Sequence, residues 1–219
     1  MIELKNFTYK TNKILFDGAS FKAPSTGMIG IAGESGCGKT TFLKIISKQI
    51  HLDSMVNDAV SMFYGNQDAL LKKDLTIIQQ FELIESIYNR EHDQSTIDEL
   101  FNSLNIKANL SQKYDSCSLG EKKRIMIALS VYSNSPCIIL DEPLSSVDYE
   151  DKHSIMKLLK EHSHDRVIIL TIHDEEFDEY LDIKYLIENL QFIRIKDNES
   201  NGEPLSMTQE FTPKRIAHV

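Results

Sequence analysis

Cysteine, proline and glycine are all sparse in this chain, with 3, 5 and 9 copies among 219 residues. Cys37, Cys117 and Cys137 are odd in number, widely spaced and never set as a C-x-x-C pair. That excludes a disulfide framework or a thiolate zinc site and fits a reducing compartment. The low proline and glycine content, with no internal repeat, excludes a low-complexity chain. Long hydrophobic runs are missing as well. Stretches such as Val167-Ile168-Ile169-Leu170 fall far below the roughly 18 apolar residues of a bilayer span. The start, Met1-Ile2-Glu3-Leu4-Lys5, lacks the basic-then-apolar order of a secretion signal, so a cytoplasmic location is expected. Positive charge is short too: 24 Lys+Arg face 33 Asp+Glu, a net charge of −9. No nucleic-acid partner is expected from that balance. What remains is an ordinary globular composition, 41% apolar and 26% charged, able to build a core without staples.

Periodicity sets out the elements. Phe7, Tyr9 and Ile14-Leu15-Phe16 flank the polar turn Lys10-Thr11-Asn12-Lys13, as in an antiparallel hairpin. Gly27-Met28-Ile29-Gly30-Ile31-Ala32 reads as a buried strand. Phe42, Leu43, Ile45 and Ile46 then place a helix over residues 40–48. Between Asp74 and Leu110 the apolar steps of three and four (Ile77, Ile78, Phe81, Ile84, Tyr88, then Ile97, Leu100, Phe101, Leu104) predict two amphipathic helices joined by the polar Asn89–Gln94. A further helix is expected over 119–132, strands at 137–140 and 167–172, and a helix at 149–161 between those strands. Strand–helix–strand with continuous apolar strands argues for a parallel sheet of α/β type. Residues 197–219 turn polar and are expected to form a tail on a domain of residues 1–196.

Two motifs carry chemistry. Gly33-Glu34-Ser35-Gly36-Cys37-Gly38-Lys39-Thr40 matches G-x-x-x-x-G-K-[ST], the Walker A phosphate loop, followed by Thr41. Backbone N–H groups of such a loop form an anion nest, and the helix that follows adds its N-terminal dipole. Lys39 brings a charge to the β and γ phosphates, and Thr40 a hydroxyl for Mg²⁺. Ile138-Ile139-Leu140-Asp141-Glu142 is an apolar strand ending in two acids, the Walker B arrangement. Asp141 can reach the Mg²⁺ shell, and Glu142 can orient and deprotonate a water that attacks the γ phosphate.

Taken in order, these motifs resemble the nucleotide-binding subunit of an ABC transporter over residues 1 to about 190. The resemblance implies an α/β P-loop NTPase with a parallel-sheet core, a small trimmed antiparallel β subdomain and a compact helical subdomain inserted at about 68–117. Tyr9 is placed like the aromatic that stacks on adenine, and Gln67 like the glutamine that meets Mg²⁺ and the attacking water. Cys117-Ser118-Leu119-Gly120-Glu121 resembles the L-S-G-G-Q signature, with Leu119 in place of its first glycine. Ser145-Ser146-Val147-Asp148 is similar to the D-loop, and Thr171-Ile172-His173-Asp174 to the H-loop, which makes His173 a γ-phosphate sensor. In that family the signature closes over ATP held by a facing subunit. Ser118, Gly120, Glu121 and Asp148 are therefore assigned to a partner's nucleotide.

The implied function is Mg²⁺-dependent ATP hydrolysis by paired cassettes, homo- or heterodimeric, driving a transmembrane permease that is a separate chain. The cassette would then sit peripherally on the inner face of the membrane, and export of peptides or lipophilic compounds is the favoured direction. Two alternatives are a soluble ABC-type switch and a slow-hydrolysing regulatory cassette, the second motivated by Leu119. Leu70, Leu71 and the Ile77-Ile78-Phe81 region are candidate contacts for the permease. Lys122-Lys123-Arg124 reads as a solvated helix face or a nucleotide contact. His162 and His164, beside Asp165, read as an exposed loop and not as a metal pair. Cys37, at a helix start where a thiol's pKa tends to fall, is expected to react with thiol reagents, and Mg-ATP to slow that reaction.

Overall fold

A computed structural model describes residues 1–52, 55–56, 61–66, 72 and 74–197. Strand β1 (Ile2–Lys10) pairs antiparallel with β2 (Ile14–Ala23) through the expected polar turn. The apolar positions of β1 alternate, so Ile2, Leu4 and Phe7 are buried on one face. With β4 (Met55–Val56) on the other side of β1, these strands make a three-stranded sheet, the small antiparallel layer anticipated from sequence.

The larger sheet holds six strands in the order β5-β6-β7-β3-β8-β9. Its parallel strands are β3 (Gly27–Gly33), β5 (Met62–Gly65), β6 (Cys137–Leu140), β7 (Val167–Thr171) and β8 (Ile183–Glu188). Every residue of β6 and β7 is buried, the signature of strands covered on both faces. Helices α1 (Lys39–Ile46) and α5 (Tyr149–Glu161) supply the crossovers after β3 and β6. The closing hairpin of β8 with antiparallel β9 (Gln191–Asp197) is not among the expected elements. Strand β9 ends at Asp197, the first residue of the expected tail, and residues 198–219 lie outside the described residues.

Helices α2 (Ile77–Tyr88) and α3 (Gln94–Ser103) form the insertion. Thr76 and Gln79 cap α2 reciprocally, Asn89 ends it in the left-handed region, and Asp93 caps α3. Both helices lie against α4 (Leu119–Tyr132), whose buried Tyr132 meets Phe81 edge-to-face at 5.0 Å. Ile77 and Phe81 are fully buried here, so these two are core, while Leu70 and Leu71 lie outside the described residues.

A second core joins the two sheets. Phe7, Phe16, Phe21 and Phe42 pack under Phe192 of β9, with Phe42 and Phe192 centroids 4.4 Å apart. Burying one such ring contributes about 1.5–3 kcal/mol, so the closing hairpin fastens α1, and with it the phosphate loop, to the antiparallel layer.

Candidate active site

Strand β3 delivers the chain into the phosphate loop and α1 carries it away. Gly33 adopts φ 148°, and a Cβ there would stand 2.7 Å from Cys37 Sγ and 3.0 Å from the Ile187 carbonyl oxygen. Only glycine fits that bend without strain. Lys39 is buried, and its Nζ donates to the carbonyls of Gly33 (2.7 Å) and Glu34 (3.0 Å). The ammonium is thus held beneath the loop that its own helix follows.

A cavity of about 470 Å³ opens over this loop. Ser35, Gly36, Gly38, Lys39, Thr40 and Thr41 line one side of it, and Glu142 and His173 the other. Residues far apart in sequence meet here because β6 and β7 are adjacent parallel strands that end at the same edge of the sheet. This is the carboxyl edge, where open α/β sheets bind ligands. His173 Nε2 lies 3.7 Å from Glu142 Oε1. Asp141 precedes Glu142; its Oδ1 accepts from Thr171 Oγ1 at 3.1 Å, and its backbone N–H donates to the Gly65 carbonyl. Burial and the nearby Asp141 charge push the Tyr64 hydroxyl up to about 12.

Oxygen donors suit Mg²⁺, which takes few protein ligands and completes its shell with water and phosphate oxygens. The Thr40 hydroxyl and the Asp141 carboxylate are donors of that kind, Thr40 among the residues that line the cavity and Asp141 not. Among the described residues no group of three or more His, Cys, Asp or Glu side chains is placed to hold a metal ion.

Other expected residues lie apart from the cavity. Tyr9 is half-buried, pairs with Phe16 across the hairpin and packs on the aromatic core; it is not among the lining residues. Cys37 turns its sulfur toward Gly33 and the core. Gln67 lies outside the described residues. Ser118, Glu121 and Gly120 begin α4: Ser118 Oγ accepts from the Glu121 N–H, and Glu121 Oε2 from the Ser118 N–H. That reciprocal cap keeps the backbone regular at Leu119, whose side chain is half exposed. Asp148 precedes α5 without a side-chain capping bond. A Cβ on Gly120 would stand 3.0 Å from the Ser146 carbonyl, so signature and D-loop touch each other outside the cavity.

Two corrections follow. The basic run after the signature is not one solvated face: Lys122 pairs with Asp115, Arg124 with Asp151 at 2.5 Å, and Lys123 is 2% exposed. Burial lowers the Lys123 pKa, partly offset by the Glu142 and Asp141 charges. Thr11 and Lys13 of the first turn also line the cavity, and Lys13 Nζ donates to the Gly36 carbonyl at 3.1 Å. The signal for them was a basic polar turn between strands in a chain short of positive charge.

Comparison with known proteins agrees with this geometry. The family described as ABC transporter matches residues 16–145. The chain belongs to the ABC transporter family, as an ATP-binding cassette and an ATPase. It is similar to the cytochrome c biogenesis ATP-binding export protein CcmA of Reclinomonas americana, 30% identical over 180 residues, covering 76% of this chain and 81% of the relative. The protein of that name from Vibrio cholerae is 26% identical over 193 residues, covering 81% and 93%. Its fold is that of a dimeric ATP-binding cassette solved in a post-hydrolysis state with ADP and phosphate, with a TM-score of 0.76, 21% identity and coverage of 90% and 98%. Among the described residues no helix is long and apolar enough to cross a membrane.

Proposed function

We propose that this cassette hydrolyses Mg-ATP with Glu142 as the general base and His173 beside the γ phosphate, and that it works as one of two facing cassettes on a separate transmembrane chain. The observation that carries the reading is the single cavity in which the phosphate loop meets Glu142 and His173. A carboxylate facing Lys39 and Thr40 can take a proton from a water in line with the terminal phosphate. Mg²⁺ held by Thr40 and Asp141 would neutralise phosphate charge; the loop and Lys39 orient the phosphates. Ser118, Gly120, Glu121 and Asp148, which lie away from this cavity, are assigned to the partner's ATP. Gln67 is assigned to the metal and the attacking water, and Tyr9 to the adenine side.

Export is the direction that the relatives' names support. Those names attach to cytochrome c biogenesis and lend nothing to the peptide or lipophilic cargo expected from sequence. Cargo choice is left to the membrane chain.

Glu142→Gln tests the base. Turnover is expected to fall by about 100-fold or more, while ATP binding persists and ATP-dependent dimers accumulate in size-exclusion chromatography. Retention of most of the ATPase activity would refute Glu142 as the base.

A further inference from the structure

The backbone of Glu142 is held on both sides of its Cα by residues that do not line the phosphate cavity. Glu142 sits at φ 49°, a left-handed conformation that is strained for a residue with a Cβ. Such a conformation persists where its surroundings over-determine it. Here the Glu142 N–H donates to Thr171 Oγ1 at 2.6 Å, and the Glu142 carbonyl accepts from Lys123 Nζ and from Ser145 Oγ, each at 2.9 Å. The direction of the first bond is fixed. Thr171 Oγ1 has one proton and gives it to Asp141 Oδ1, which leaves a lone pair for the Glu142 N–H.

Both side chains are costly choices for packing alone. Lys123 and Thr171 are each 2% exposed. A buried ammonium gives up hydration that Met or Leu at the same place would not. Thr171 breaks the apolar run of β7 at the one position that faces Glu142. Lys123 also lies one helical turn from Gly120 on α4, so any shift of the signature helix moves the ammonium that holds the Glu142 carbonyl.

We propose that Lys123 and Thr171 are positioning residues for ATP hydrolysis, aiming the Glu142 carboxylate by fixing the peptides on either side of its Cα, and that Lys123 links this aim to the seating of the signature helix. The inference rests on Glu142 being the base. Neither residue touches the nucleotide in this scheme, so their removal should spare binding and slow the chemical step.

The test uses Thr171→Val, Thr171→Ser and Lys123→Met in the full chain beside Glu142→Gln, with kcat, KM for ATP and Tm measured for each. Thr171→Val should lower kcat about 10-fold or more with KM held within about two-fold, the split expected when an interaction matters only in the transition state. Thr171→Ser, which keeps the hydroxyl, should restore kcat to within about three-fold of the parent, and Lys123→Met should show the same kcat-only loss. The double variant should lose less than the product of the single losses, because both bonds constrain the backbone of the same residue. A lower Tm with unchanged kcat per folded molecule, or Ser no better than Val, overturns the proposal. Should Thr171→Val not fold, Lys123→Met against Lys123→Arg decides by the same split: loss in both or in neither overturns it. If Glu142→Gln abolishes turnover and these variants do not slow it, this inference alone fails; if Glu142→Gln leaves turnover intact, the assignment of the base fails first.

Discussion

At the phosphate-loop end of the cavity the left-handed positions are glycines, with φ 148° at Gly33, 77° at Gly36 and 111° at Gly38; at the opposite end the left-handed position is Glu142, at 49°, followed outside the cavity by Ser146 at 61°. The first end gets its backbone shape from residue type, for little conformational cost. The second imposes a similar shape on residues with side chains and holds it with hydrogen bonds from α4 and β7. A phosphate cradle needs its N–H groups bare and close to the ligand, which excludes side chains. A base needs a side chain, so glycine is not available, and the strain must be offset from elsewhere in the fold.

The largest effect that sharpens this contrast is at Gly33. Gly33→Ala should abolish ATP binding and destabilise the fold by about 2–4 kcal/mol, because the added carbon meets Cys37 Sγ and the Ile187 carbonyl. Gly36→Ala meets nothing within 4 Å and should cost only the conformational term, about 1–2 kcal/mol. Denaturant unfolding of both variants checks the order, and equal losses would mean that φ alone, without the close approach, governs the loop.

The same contrast explains what the sequence discloses. The phosphate loop is legible because its geometry is written in three closely spaced glycines, and β3, β6 and β7 because their apolar runs have few other uses. The clamp on Glu142 is not, because nothing local distinguishes a lysine that is buried from its neighbours Lys122 and Arg124, which reach acids at the surface. Thr171 likewise reads as one more strand residue until β6 is set beside β7. Tyr9 is ambiguous in a different way: a hairpin aromatic suits both a stacking role and a packing role in sequence, and the structure sets it opposite Phe16 against the core. The β8–β9 hairpin was missed because its ladder, with a register shift between Lys184 and Tyr185, leaves Ile193 and Ile195 exposed and so blurs the alternation.

A smaller effect separates the three thiols. Cys137 is 1% exposed and its thiol is pushed up to about 12 by burial; burial also raises that of Cys117, with Glu121 adding to it. Both therefore carry little thiolate at neutral pH. Cys37 is half-buried within the phosphate loop, its sulfur turned toward Gly33 and away from the cavity lining. A maleimide should label Cys37 first and inactivate the ATPase, and saturating Mg-ATP should slow the loss by covering the loop. Mass spectrometry of the labelled peptides, with and without nucleotide, gives the order; identical inactivation rates in both conditions would remove the idea.

The smallest effect comes from exchanging the two strategies. Glu142→Gly places at the base position the residue type that the phosphate loop uses for its own left-handed turns. The change deletes a half-exposed carboxylate that lies 3.7 Å from His173 Nε2, beyond hydrogen-bond distance, so little favourable interaction is lost from the native state. It also removes the penalty on a Cβ at φ 49°, offset by the greater freedom of glycine in the unfolded chain. Net stability should then rise by about 1 kcal/mol or less, read as a shifted urea midpoint at constant slope, even as turnover disappears. Glu142→Gln, which keeps the Cβ, should leave the midpoint where it was. A loss of stability in Glu142→Gly alone would mean that the peptide of Glu142 is not strained, and that the Thr171 and Lys123 bonds hold a conformation the chain already prefers.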